Sequence, residues 1–209
     1  MKASGIGANG SHSEDHQSLP ATAVVSRRAV RTARPGAIGG AVLRASRRSA
    51  GLNRRSLARL LAVTPVAVRA WEQGALPLYA VDYRMLRRLA DVTAEDVGVL
   101  LIAQQCDLLI MRMLTGDEDF ADVPPVDDDN ARGGTARGLL RWAFTGQVPD
   151  RWSRLAPSRP LLAAADADRI ARLARQLAAG SYGPDLASYG TALLQCTARA
   201  QPGFTRGVA

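Results

Sequence analysis

The hydrophobic positions in the stretch from Leu52 to Gly74, LNRRSLARLLAVTPVAVRAWEQG, repeat at helical spacing and fall into two short runs. In the first run Leu57, Ala58 and Leu61 share one face while Arg54, Arg55 and Arg59 point elsewhere. That pattern predicts a helix over 54–61 that buries its apolar side and keeps its arginines in water. Asn53 is a good N-cap, with a side-chain oxygen that accepts from the free amides of the first turn. Thr64 is a second start signal. Pro65 follows at the first helical position, where the missing N–H costs nothing and the fixed φ is already helical. The second helix runs to about Gln73 with Val68 and Trp71 inward, Gly74 as its terminator and Pro77 blocking continuation. Two helices this short do not hold themselves together, so both need neighbours.

The rest of the pattern is also helical, and the fold class it predicts is all-α. A helix before Asn53 carries Val42 and Leu43 inward, and one over 82–90 buries Met85, Leu86 and Leu89. Thr93 with Asp96 reads as a capping box opening a longer helix through about Leu114. Its apolar residues, from Val97, Leu100 and Leu101 to Leu108, Ile110, Met111 and Leu114, occupy more than one face, so it needs a partner beyond one small domain. A homodimer seam and packing against the C-terminal region are the two alternatives. Residues 116–135, GDEDFADVPPVDDDNARGGT, read as an acidic linker. Beyond it, 136–200 holds three helices, at about 136–144, 164–179 and after Pro184. Trp152, between Arg151 and Arg154 in a Pro-rich loop, either stacks on a base or ligand or fills a gap between helices. Residues 1–35 lack periodicity and read as a disordered tail ending in a basic arm of Arg27, Arg28, Arg31 and Arg34, and 201–209 as a second, flexible tail.

Composition narrows the class. With 209 residues and 47% hydrophobic content, the chain can bury a core in one or two domains. Lys2 is the only lysine, an arginine bias resembling the high-GC coding of actinobacteria. No run of about 18 apolar residues and no signal-peptide order are evident, which predicts a cytoplasmic, nucleoid-associated protein with no membrane partner. Cys106 and Cys196 have no metal or redox spacing and read as buried, reduced thiols. The formal charge of +8 is unevenly spread: +10 over 1–92, −8 over 93–135 and +6 over 136–209. A basic block holding the helix pair suits a polyanion, although such blocks also occur as plain solvated faces.

At the helix pair the sequence resembles the helix-turn-helix of the phage-repressor and Cro-like transcriptional regulators, the XRE family, over about 36–92. The marks are the LRxxRxxxGLN pattern from Leu43 to Asn53, the small Ala58 at the helix crossing, Val68 and Trp71 as core, and the WExG ending of Trp71, Glu72 and Gly74. The resemblance implies a structural ion pair between Arg47 and Glu72. It also places Pro65, Val66, Arg69 and Ala70 outward near the start of the helix that enters the major groove and Arg54 and Thr64 against phosphates, with Arg55 and Gln73 also among the DNA-binding residues. Arg69 alone carries a strong base-reading group, able to hold guanine O6 and N7; Val66 or Ala70 suits a thymine methyl. As a plain alternative, Arg69 is a solvated or phosphate-binding charge. The usual glycine of the turn is replaced by Ala62, which costs about 1–2 kcal/mol if its backbone is left-handed.

The inventory offers little to an enzyme: both histidines lie in the N-terminal tail, and no nucleotide-binding glycine motif, nucleophile elbow or metal-ligand cluster is evident. No cofactor is expected. His12 and His16 have the spacing of a metal pair without further ligands, and Asp127, Asp128 and Asp129 lack calcium-loop spacing, so both read as solvated polar groups. Two functions compete. One is a sequence-specific regulator that binds double-stranded DNA as a homodimer, with a small-molecule or protein effector at 136–200. The other is an adaptor that uses the same helices, and the apolar outward Pro65, Val66 and Ala70, to bind a protein.

Overall fold

The computed structural model describes residues 34–116, 131–182 and 184–198. Among them the chain is all-helical: α1 (Ala37–Ser49), α2 (Arg54–Leu61), α3 (Pro65–Glu72), α4 (Tyr83–Thr93), α5 (Val97–Thr115), α6 (Ala131–Thr145), α7 (Ala164–Ala178) and α8 (Pro184–Thr197). Short 3₁₀ turns at Leu78–Ala80 and Asp150–Trp152 complete the regular structure. The boundaries of α2 and α3 follow from their caps. Asn53 Oδ1 accepts from Ser56 N at 2.9 Å, and Thr64 Oγ1 accepts from Ala67 N at 3.1 Å with Pro65 at the first position.

The helix α5 is central. It packs against α1, α4 and the Leu78–Ala80 turn on the N-terminal side and against α6 and α7 on the C-terminal side. This double contact explains why its apolar residues occupy more than one face: Leu100, Ala103, Cys106, Leu109 and Ile110 are all buried. The chain's own α6 and α7 thus provide the additional partner that the helix needs. The core is continuous from Ile38 to Cys196, joining the stretch read as a separate N-terminal domain to the C-terminal region. By length and composition α5 also qualifies as a membrane-crossing helix, contrary to the expectation that no such run exists, yet half of its apolar window is buried by the protein itself.

Two local readings need correction, and the two alternatives for Trp152 resolve to one. Thr93 does not open α5. Its hydroxyl is buried and donates to Leu89 O at 2.7 Å within α4, Ala94 ends that helix with a left-handed backbone, and Asp96 alone caps α5 by accepting from Gly98 N at 2.8 Å. The threonine's bond to the preceding turn outcompetes the cap. The helix α6 begins at Ala131, so Ala131–Thr135 are helical rather than linker. Trp152 is buried and packs on Trp142, ring centroids 5.9 Å apart, so it fills the gap between helices. The tail up to residue 33, with His12, His16, Arg27, Arg28 and Arg31, the acidic stretch 117–130 with Asp127, Asp128 and Asp129, and the tail 199–209 lie outside the described residues.

The junction of α1 and α5 carries a cap that local sequence does not reveal. Gly36, the N-cap residue of α1, has no side chain to offer, and Asp107 of α5 substitutes for it. Its Oδ1 accepts from Ile38 N at 2.9 Å and its Oδ2 from Gly39 N at 2.8 Å. The carboxylate therefore satisfies two of the amides a helix start leaves open and sits at the positive end of the helix dipole. Gly39 is required by this approach, since a Cβ there would lie 2.9 Å from Asp107 Oδ2.

Asp107 is 2% exposed, and burial pushes its carboxyl up from 3.8 to about 7, against the opposing pull of the Gly39 and Ile38 amides. A carboxyl whose folded value lies above its unfolded one contributes stability that is fully present below about pH 4. That contribution is lost as the pH rises through about 7. In urea unfolding across this window, Asp107→Asn is expected to flatten the decline while lowering stability by about 1–3 kcal/mol, because its NH₂ faces one of the amides it should accept from. A decline of equal slope in both proteins contradicts the assignment. Ala62 is left-handed, with φ 56° and ψ 41°. Ala62→Gly is expected to raise stability by up to about 1 kcal/mol, the relief of strain exceeding the extra entropy of the unfolded chain; an unchanged or lowered unfolding midpoint contradicts it.

Candidate nucleic-acid interface

Packing of α1, α2 and α3 turns on Glu72, a carboxylate at the end of α3 whose side chain is 0% exposed. Its Oε1 meets Arg47 Nε at 2.5 Å and its Oε2 meets Arg54 Nε at 2.6 Å. Arg44 stands farther from Oε2, at 3.9 Å, and donates through its Nη2 to the Glu72 carbonyl. Arg47 Nη1 donates in addition to Leu52 O at 2.5 Å, closing the turn before α2. One buried negative charge therefore gathers arginines from α1 and α2 onto the end of α3. Burying a carboxylate alone is strongly unfavourable, and this arrangement is tolerable because its oxygens are matched by charged donors. The expected pair of Arg47 with Glu72 is present, and Arg54 joins it.

Close backbone approach completes the packing. At Gly40 a Cβ would lie 2.4 Å from Trp71 O, so α1 can cross α3 this closely only with glycine there. Gly74, at φ +67°, ends the α3 segment and accepts at its carbonyl from Gly36 N. Arg34 Nη1 donates to Gln73 O at 3.3 Å, so the last residue of the basic arm reaches the C-terminal end of α3.

With the inward side of α3 fixed, its outward side is defined. Thr64, Pro65 and Arg69 are exposed, and Val66 is 74% exposed. Ala70 and Gln73 are only half-buried, with the Ala70 carbonyl accepting from Ala75 N and Leu76 N beyond the helix end. The two are less available than the first turn. Arg55 is exposed, and Arg54, read as a phosphate contact, has its Nε on Glu72 and a side chain 43% exposed. Arg47, Arg48, Asn53, Arg54 and Arg55 together line an open concavity of about 530 Å³ at the start of α2, with four guanidinium groups and no carboxylate on its walls. Such a surface attracts phosphates, and an α-helix N-terminus beside it adds the same sign of field.

The sequence reading missed three contributors: Arg44, Gly40 and Asp107. The first two stand inside or beside the LRxxRxxxGLN pattern, and Gly40 carried a signal in the pair Gly39-Gly40 at the start of an otherwise apolar helix. Among the described residues, no group of three or more histidines, cysteines or acidic side chains is gathered as a metal site. Comparison of the chain with protein-family models, with curated proteins and with solved structures gives no match.

The burial asymmetry within the arginine cluster makes a graded prediction. Glu72→Gln leaves the buried Arg47 without its counter-charge and Arg47→Ala leaves the buried Glu72 Oε1 without its donor, and each is expected to lower unfolding stability by about 3–5 kcal/mol. Arg54→Ala removes the donor on Glu72 Oε2 but opens that oxygen to water, since the Arg54 side chain is 43% exposed, and is expected to cost less than either. Chemical denaturation of the three variants checks the order, and an Arg54→Ala loss equal to that of Arg47→Ala contradicts it.

Proposed function

We propose that this protein is a sequence-specific DNA-binding regulator with a Cro-like helix-turn-helix formed by α2 and α3. The observation that carries this reading is the exposed start of α3, with Thr64, Pro65, Val66 and, one turn on, Arg69, beside the arginine-lined concavity at the start of α2. In this reading Arg55, Arg48 and the free part of Arg54 meet phosphates, Thr64 positions the helix on the backbone, and Arg69 reads a base edge in the major groove. The block of charge over 1–92 supplies the long-range attraction. In this reading the protein is a homodimer joined through a surface other than the α5 face that α6 and α7 cover, which sets two α3 helices about one DNA turn, ~34 Å, apart and favours a palindromic site.

A second reading has its own support. Leu60, Leu76 and Tyr83 are exposed along with Val66, more apolar surface than phosphate contact needs, and it suits an adaptor that binds a protein through the same helices. Salt separates the two, because displacement of counterions makes DNA affinity fall steeply with ionic strength while apolar contact is barely affected.

Binding to a pool of duplex DNA across a salt series tests the reading. Arg55→Ala is expected to weaken binding to all sequences alike and reduce the salt slope by about 1, and Arg69→Ala to cost about 1–3 kcal/mol on preferred sequences only. No binding at moderate salt, or loss through Val66→Asp with both arginine variants unaffected, would favour the adaptor.

A further inference from the structure

Between α1 and the loop after α6 lies a partly enclosed cavity of about 30 Å³, which shares only Arg48 with the concavity at α2. Its polar lining is Arg44, Arg48 and Arg159, and its apolar wall includes Trp142, Leu155 and Leu161. No carboxylate lines it. The nearest, Glu72, is already matched by Arg47 and Arg54. Arg48 Nη1 is tied to Leu155 O at 2.8 Å, which holds its guanidinium at the junction of α1 and the loop. The indole N–H of Trp142, on a side chain that is 1% exposed, has no acceptor, and Arg44 Nε has only the distant Glu72 Oε2, at 3.9 Å. Burial first, and then the neighbouring charges of Arg48, Arg54 and Arg159, draw the Arg44 guanidinium down, with Glu72 opposing. Three cations border one small space that no carboxylate lines, and the buried N–H of Trp142, another lining residue, lacks an acceptor, which is costly.

We propose that this cavity binds the phosphate group of a small ligand, as free phosphate or as the head of a phosphomonoester. Guanidinium groups hold tetrahedral oxyanions through paired N–H bonds, and a phosphate's charge offsets the cluster better than a carboxylate would. The enclosed space takes a head group and leaves the body of a ligand against the apolar wall or outside the mouth. The Trp142 N–H is closed to solvent, so a small side-chain shift is what brings it to an occupant. Arg44 also donates to the Glu72 carbonyl, so an occupant here bears on the end of α3. The proposal does not depend on DNA binding and goes beyond it.

The test is calorimetric titration of the full chain, without DNA and at constant ionic strength, with inorganic phosphate and, separately, phenyl phosphate. One-to-one saturation is expected in at least one arm. Tighter binding of phenyl phosphate assigns the head-group source, and equal or tighter binding of inorganic phosphate assigns the free ion. Arg159→Ala, on the exposed rim, is expected to weaken binding by about tenfold, as for the loss of one hydrogen bond to a charged group. Arg55→Ala, in the other concavity, is expected to leave it unchanged. Absence of saturable binding in the millimolar range, or equal weakening by both variants, overturns the proposal, the latter because it marks a diffuse basic surface.

Discussion

The buried carboxylate of Glu72 is the constraint on which the N-terminal half depends. It lies at the end of the third helix, out of reach of water, and its two oxygens are occupied by guanidinium groups from the first and second helices. Attraction between charges is stronger where water is excluded, and the geometric demand of each arginine fork fixes the angle as well as the distance. A leucine in place of Glu72 could fill the volume without setting the register. The proposed reading face, the exposed first turn of α3, is thus the side left outward once the carboxylate has fixed the inward one.

A second buried carboxylate does comparable work at the other end of the same helix bundle. Asp107 joins α5 to the first amides of α1, and α5 in turn carries the C-terminal helices. The two acidic groups act in different ways. Glu72 is matched by full positive charges, whereas Asp107 is matched by backbone amides and a helix dipole, a weaker compensation that leaves its carboxyl raised toward about 7. The α1 helix is held at its start by one and through Arg44 and Arg47 by the other, so the N-terminal helices and the C-terminal region share a single framework.

What the sequence made legible was local. Asn53, Thr64 and Pro65 set the starts of α2 and α3 by contacts three residues away, and the boundaries were readable for that reason. The pair of Arg47 with Glu72 was legible through the spacing of a resembled motif. Contacts between distant residues were not: Asp107 lies 69 positions from Ile38, and nothing near either residue announces the bond. The helical start of α6 was hidden by Gly133 and Gly134, which read as linker although tertiary packing buries Gly133. At Thr93 two local rules competed, and a hydroxyl bonded to the preceding turn won over the capping box. Arg54 was assigned by position on the helix alone, which could not show that its Nε reaches Glu72.

The claim that the outward side of α3 meets DNA is tested most directly by amide hydrogen exchange of the full chain with and without duplex DNA. The account predicts slowed exchange concentrated over residues 53–70, at the starts of α2 and α3, with α7 and α8 unchanged. Slowing confined to the C-terminal helices, or none at a DNA concentration that saturates binding, would contradict it.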